Sequence, residues 1–100
     1  MNILQLTLKK KWFNMIASGE KTEEYREIKP YWNKRLRSSI GIQKWFDVVH
    51  FRNGYRPDSP AVTVQWINTH IGRGNPEWGA PVDKDVFIVT LGKRVKGSQS

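Results

Sequence analysis

Two β-rich stretches, residues 46–52 and 61–71, constrain this chain most. They are dense in Val, Phe, Trp and Thr and are joined through Asn53-Gly54 and Pro57-Asp58-Ser59-Pro60. β-Branched and aromatic side chains suit a pleated, half-buried surface, and the Gly- and Pro-rich joint supplies turn conformations, so together they predict a wide β-hairpin. Residues 86–91 form a continuous apolar run, the pattern of a strand covered on both faces. Residues 3–8 alternate instead, with Leu4, Leu6 and Leu8 on one side and Ile3, Gln5 and Thr7 on the other. That is a strand with one buried face.

Between these stretches the period changes. Trp12, Phe13 and Ile16 make an apolar stripe, flanked by Met15, that predicts a helix over residues 9–18, and Gly19 suits the left-handed position after its end. Lys9, Lys10 and Lys11 lie at the start of that helix, where positive charge opposes the helix dipole; they point to solubility or to an anionic ligand rather than to helix stability. Residues 21–28 carry Thr, Tyr and Ile at strand spacing among many charges and are read as a strand. Pro30 then opens a short helix to about Arg37, with Tyr31, Trp32, Arg35 and Leu36 on one face. Residues 38–44 are a connector, 72–84 a Gly- and Pro-rich loop, and 95–100 a frayed, flexible tail. Five strands and two short early helices predict one α+β domain over residues 1–94, a small, partly open barrel capped by helices.

The balance of 17 Lys and Arg against 9 Asp and Glu gives +8, and residues 1–44 hold ten basic and four acidic side chains (10 − 4 = +6). Such a chain attracts anions, nucleic acid first among them. The chain has no cysteine, which excludes disulfides, thiolate nucleophiles and Cys-containing zinc sites and fits a cytoplasmic protein. No apolar run approaches the roughly 20 residues of a membrane span, and the N-terminus lacks the pattern of a secretion signal. No metal site or cofactor is expected: His50 and His70 stand twenty positions apart without obvious partners, and Gly72-Arg73-Gly74 opens neither a phosphate loop nor a dinucleotide fingerprint. No Gly-x-Ser-x-Gly elbow marks a serine hydrolase either.

The segment Gly19-Glu20-Lys21-Thr22-Glu23-Glu24-Tyr25-Arg26 concentrates opposite charges where a helix gives way to a strand. One reading is a surface ion-pair cluster of Lys21, Glu24 and Arg26, worth about 0–1 kcal/mol per pair. The other is a functional junction. Residues 16–26 resemble the Gly-x-Lys-x-x-Glu-x-Arg signature of ASCH domains in the PUA-like superfamily, and all four signature positions match. The Leu6-Thr7-Leu8 strand, the amphipathic helix and a last strand ending Leu91-Gly92 are similar to that family as well. The resemblance implies a pseudobarrel of five to six strands, a cleft lined by the signature residues, and RNA binding or RNA-linked chemistry. Strict alternation would put Lys21 and Glu24 on opposite faces. For both to line one cleft, Lys21 must lie in the turn after Gly19, or a bulge must reset the register.

In a binding role, Arg26 and Lys21 would hold a phosphate or base edge, Glu24 would accept from an exocyclic amine, and Tyr25, Trp32 and Trp78, set among polar neighbours, are the candidates to stack an unpaired base. The partner would be RNA, another single-stranded nucleic acid or a modified nucleoside. An enzymatic role stays open. Some family members hydrolyse the amide of N(4)-acetylcytidine with a Lys, Thr and Glu set, and the resemblance assigns the lysine to Lys21. It places Glu24 where those members have threonine, and Thr22 is a poor substitute. The resemblance puts the acid/base glutamate in the region before the last strand, where Glu77, the only carboxylate between Asp58 and Asp83, is the candidate. Lys21, Glu24 and Glu77 could then activate water if burial lowered the Lys21 pKa. A metal-independent ribonuclease and a protein-interaction adaptor are the remaining alternatives.

Overall fold

The structure, a computed structural model, describes residues 1–95. Its elements run β1 (Ile3–Thr7), α1 (Lys10–Ala17), β2 (Glu23–Arg26), α2 (Pro30–Leu36), β3 (Val48–Arg52), β4 (Ala61–Gly72), a 3-10 turn (Pro76–Trp78) and β5 (Val86–Arg94). The strands form one sheet in the order β1-β3-β4-β5-β2. β1 runs parallel to β3, with Leu4 opposite Val49 and Leu6 opposite Phe51, and every other neighbouring pair is antiparallel. The β4–β5 register shifts on both sides of Trp66. Irregularities of this kind bend a strand and increase its twist, and here the mixed sheet curls into a half-barrel. With its two helices it makes a small α+β domain.

Leu4, Leu6 and Leu8 are buried and Ile3 and Gln5 exposed, as the alternation predicts. They meet Phe13 and Ile16 of α1 and Leu36 of α2 in the main core. The apolar run of β5 is covered on both sides: Phe87, Val89 and Leu91 join the main core, while Val86 and Ile88 pack with Tyr25 and Ala80 in a second cluster. Gly74 passes directly against the Tyr25 ring, where an added Cβ would lie 2.5 Å from Cε1. A glycine there lets the loop after β4 hold Tyr25 in place.

Three boundaries differ from expectation. β2 is shorter than residues 21–28 because the Lys21 amide bonds to the Met15 carbonyl instead of joining the ladder. β3 starts at Val48, since the Asp47 amide turns to the Asn2 carbonyl. β5 extends to Arg94, and the Val95 amide donates to the Thr63 carbonyl at 2.8 Å, so Val95 is held to the sheet. The remainder of the tail expected over 95–100 lies outside the described residues. No helix among the described residues is long and apolar enough to cross a membrane.

Candidate functional site

β1 and β2 are the two ends of the sheet, and the curl brings them face to face without letting them pair. The seam between them is a cleft of about 620 Å³. Its edges would present unpaired carbonyls, and cationic side chains cover four of them. Arg35 of α2 donates to Gln5 O at 3.0 Å, and Arg26 donates to Thr7 O at 3.2 Å across the seam and to Tyr25 O at 2.8 Å on its own side. Lys21 donates to Glu23 O at 2.7 Å. Charged side chains over a strand edge block further strand pairing, so they keep the seam open for something other than a strand.

Lys21 reaches its position by the first of the two routes that the sequence left open. After α1 the chain turns at Gly19, whose φ of +86° favours glycine, and Lys21 lies in that turn rather than in β2. Its side chain folds inward to 1% exposure, against the Trp12 ring (5.6 Å) and the Tyr25 ring (5.1 Å). The ammonium donates to Glu24 Oε1, and Glu24 Oε2 accepts from Arg26. The three signature charges thus form one chain, cation–carboxylate–cation. The cluster is not a set of surface pairs, because Lys21 and Glu24 are both buried and only Arg26 keeps partial access to water.

Burial lowers the Lys21 pKa from its ordinary 10.5; Glu24 opposes the shift and Arg26 adds to it. Tyr25 moves the other way: its burial raises the phenol pKa, and the hydroxyl donates to Glu23 Oε1 (2.7 Å) while accepting from the Asn75 amide (2.9 Å). These shifts set a pH dependence. Between the folded pKa of Lys21 and 10.5 the unfolded chain holds more protons than the folded one, so stability gains from this group as pH rises toward 10.5. Above 10.0 the unfolded chain loses the Tyr25 proton first, and stability falls. Urea denaturation from pH 7 upward is expected to show the first gain in the wild type and not in Lys21→Met. A pH profile that the substitution leaves unchanged would count against a strained ammonium at Lys21.

The cleft gathers most of the residues singled out in the sequence, but not all. Glu24, Tyr25, Arg26, Trp32 and Trp78 line it. Tyr25 is 8% exposed, not the open platform that its polar neighbours suggested, because Gly74 and Asn75 close over it. Lys21 sits behind Glu24 and Tyr25, outside the cleft lining, so it acts on the site through Glu24. Glu77 is exposed on the 3-10 turn, outside the lining, with its amide bonded to the Asn75 side chain; it does not join Lys21 and Glu24. Lys9, Trp12, Arg35 and Tyr55 line the cleft without having been candidates. Of these, the lysines opposing the α1 dipole were the one signal in the sequence. Trp12 read as core because it is partly buried and packs against the main core.

Trp32 carries the two guanidiniums nearest the seam, Arg26 at 5.1 Å and Arg35 at 5.2 Å from its ring centroid. His50 and His70 bond to Thr63 and Asn68, and among the described residues no three metal-capable side chains come together. Fold and site together define a small half-barrel domain with an aromatic, cation-rich cleft at its open seam. Comparisons of the chain with protein-family models, with curated proteins and with solved structures find no match.

Proposed function

We propose that the chain is an ASCH-type, PUA-like domain that binds single-stranded RNA, taking one nucleotide-like unit into the seam cleft. The observation that carries the reading is the composition of the cleft. Trp12, Trp32 and Trp78 offer π faces, Lys9, Arg26 and Arg35 offer positive charge, and Glu24 is the one carboxylate in the lining. Aromatic walls with a cationic track are what an unpaired base and its phosphate require, and the volume falls in the range of about 300–1,000 Å³ usual for small-ligand sites. That Lys21, Glu24 and Arg26 form one bonded chain supports the signature resemblance, since the motif then describes a unit rather than a coincidence of spacing.

Unstructured RNA is expected to bind with log affinity falling against log salt at a slope of about −2, from about three phosphate contacts at −0.7 each. Anisotropy titrations at several salt concentrations measure it. Binding no tighter than that of an unrelated protein of equal charge would leave the +8 balance as incidental.

Amide hydrolysis on acylated cytidine is the second reading, favoured by a buried lysine with a lowered pKa beside a carboxylate. It lacks a hydroxyl at Glu24, and Glu77 stands outside the cleft. Incubation with N(4)-acetylcytidine is therefore expected to release no cytidine above a protein-free control. Release that disappears in Lys21→Met would reverse the preference.

A further inference from the structure

The cleft continues past α2. A second recess of about 480 Å³ opens between Ile3 and the outer side of the helix, and it shares Tyr31 and Arg35 with the seam cleft. Its cations are Lys34, Arg35 and Lys44, and no carboxylate lines it. Lys44 is pinned there by donating to the Lys34 carbonyl at 3.0 Å. Tyr31 is 59% exposed, large for a tyrosine inside a folded domain, and it meets Trp32 edge to face with centroids 4.8 Å apart. The two rings stand on neighbouring residues of α2, Trp32 in the cleft and Tyr31 shared with the recess.

Arg35 occupies the waist between the two spaces. Its guanidinium lies 5.2 Å from the Trp32 centroid and 5.9 Å from that of Tyr31, and its bond to Gln5 O fixes it over the middle of β1. From Ile3 to Thr7 the strand offers roughly 13 Å of continuous edge, at about 3.3 Å per residue. That is longer than one nucleotide. Trp32, Tyr31 and Arg35 form a triangle where the two spaces meet, with further cations beyond it in the recess. An extended peptide is disfavoured, because Arg26 and Arg35 already occupy the edge carbonyls of β1 that strand addition would need.

We propose that the groove along β1 is a two-subsite track for a single-stranded polynucleotide: one nucleotide in the seam cleft, its neighbour against Tyr31 in the recess, and the linking phosphodiester at Arg35. The proposal rests on the reading of the cleft given above and adds to it a second subsite, in the recess, for the neighbouring nucleotide of the strand. Lys34 and Lys44 carry the next phosphate.

The test is a length series by isothermal titration: uridine 5′-monophosphate, 5′-phosphorylated diuridylate and pentauridylate, with deoxyuridylates as a parallel arm. The proteins are the wild type, Tyr31→Ala and the double variant Lys34→Ala/Lys44→Ala, each checked by thermal melting; all three positions are exposed or at a pocket rim. The dinucleotide is expected to bind about tenfold tighter than the monophosphate, which is one stacked base. The Lys34→Ala/Lys44→Ala variant should lose most of that gain while its affinity for the monophosphate changes less than about twofold, as independent subsites require, whereas Tyr31→Ala, at a residue shared with the seam cleft, should weaken the dinucleotide several-fold more than the monophosphate. A gain in either the ribo or the deoxy arm supports the track, and the arm that shows it identifies the strand. Monophosphate binding with no gain on lengthening would overturn the track and leave the cleft reading standing, as would variants that weaken both ligands equally. No binding of any member would overturn both.

Discussion

Replacement of Glu24 by alanine is expected to cost about 3–5 kcal/mol of folding stability, because it strands a buried charge. The Lys21 side chain is 0% exposed, and without Glu24 its ammonium keeps only the Glu23 carbonyl at 2.7 Å, with the Arg26 charge nearby. For a domain of this size each kcal/mol moves the melting temperature by roughly 4–8 °C, so a drop of more than about 12 °C should be seen. Lys21→Met is expected to be milder, since Glu24 retains Arg26 and the methionine chain fills the space of the lysine stem. The double variant Lys21→Met/Glu24→Leu removes both buried charges and should be more stable than Glu24→Ala alone, because well-packed apolar replacements of buried pairs are often neutral or better. Thermal melts and urea titrations of the wild type, Lys21→Met, Glu24→Leu and their combination complete a double-mutant cycle. A Glu24→Ala protein that melts within a few degrees of the wild type would mean that the ammonium finds water, and the cluster would be a surface network after all.

That contrast marks where the sequence was legible and where it was not. The leucines of β1 and the apolar run Val86–Val89 of β5 state their own burial, and the proline opening α2 states a helix start, because period and backbone preference are local. The pairing of β1 with β3 has no local signal: the partners are far apart in sequence, and the parallel ladder appears only after α1, β2 and α2 have crossed between them. The site inherits the same limit. The signature resemblance brought out Lys21, Glu24 and Arg26 as lining one cleft, and strict alternation then required Lys21 to leave the strand register or a bulge to reset it; the turn at Gly19 provides the first. It gave no warning that Lys21 would be buried, since a run of charges reads as solvated until the helix above and the tyrosine beside it are in place. Arg35, Trp12 and Tyr55 became site residues only through the seam, a product of the curl of the whole sheet. Glu77 was chosen as the only carboxylate in the region where the resemblance places the acid/base glutamate, and a position along the chain says nothing about direction.

Arg26→Ala is expected to weaken binding of single-stranded nucleic acid about 10- to 100-fold, the range for losing charge-assisted hydrogen bonds in a partly enclosed site. Arg26 hydrogen-bonds both ends of the sheet, through Thr7 O on β1 and Tyr25 O on β2, while its third link anchors Glu24. Its position over Trp32 also orients that ring. Removing it loosens the seam and deletes a phosphate or base-edge donor at once, so stability and binding must be read apart. Stability should fall by only about 1–3 kcal/mol, because the guanidinium is partly hydrated already and Glu24 keeps Lys21 as a partner. Arg26→Lys separates geometry from charge. An ammonium cannot donate in a planar fork to two edges and a carboxylate, so the lysine variant should bind nearly as weakly as the alanine variant while its salt slope stays close to that of the wild type. If Arg26→Lys instead binds as tightly as the wild type, Arg26 serves the ligand as a point charge only, and recognition must rest on the aromatic walls and on Arg35.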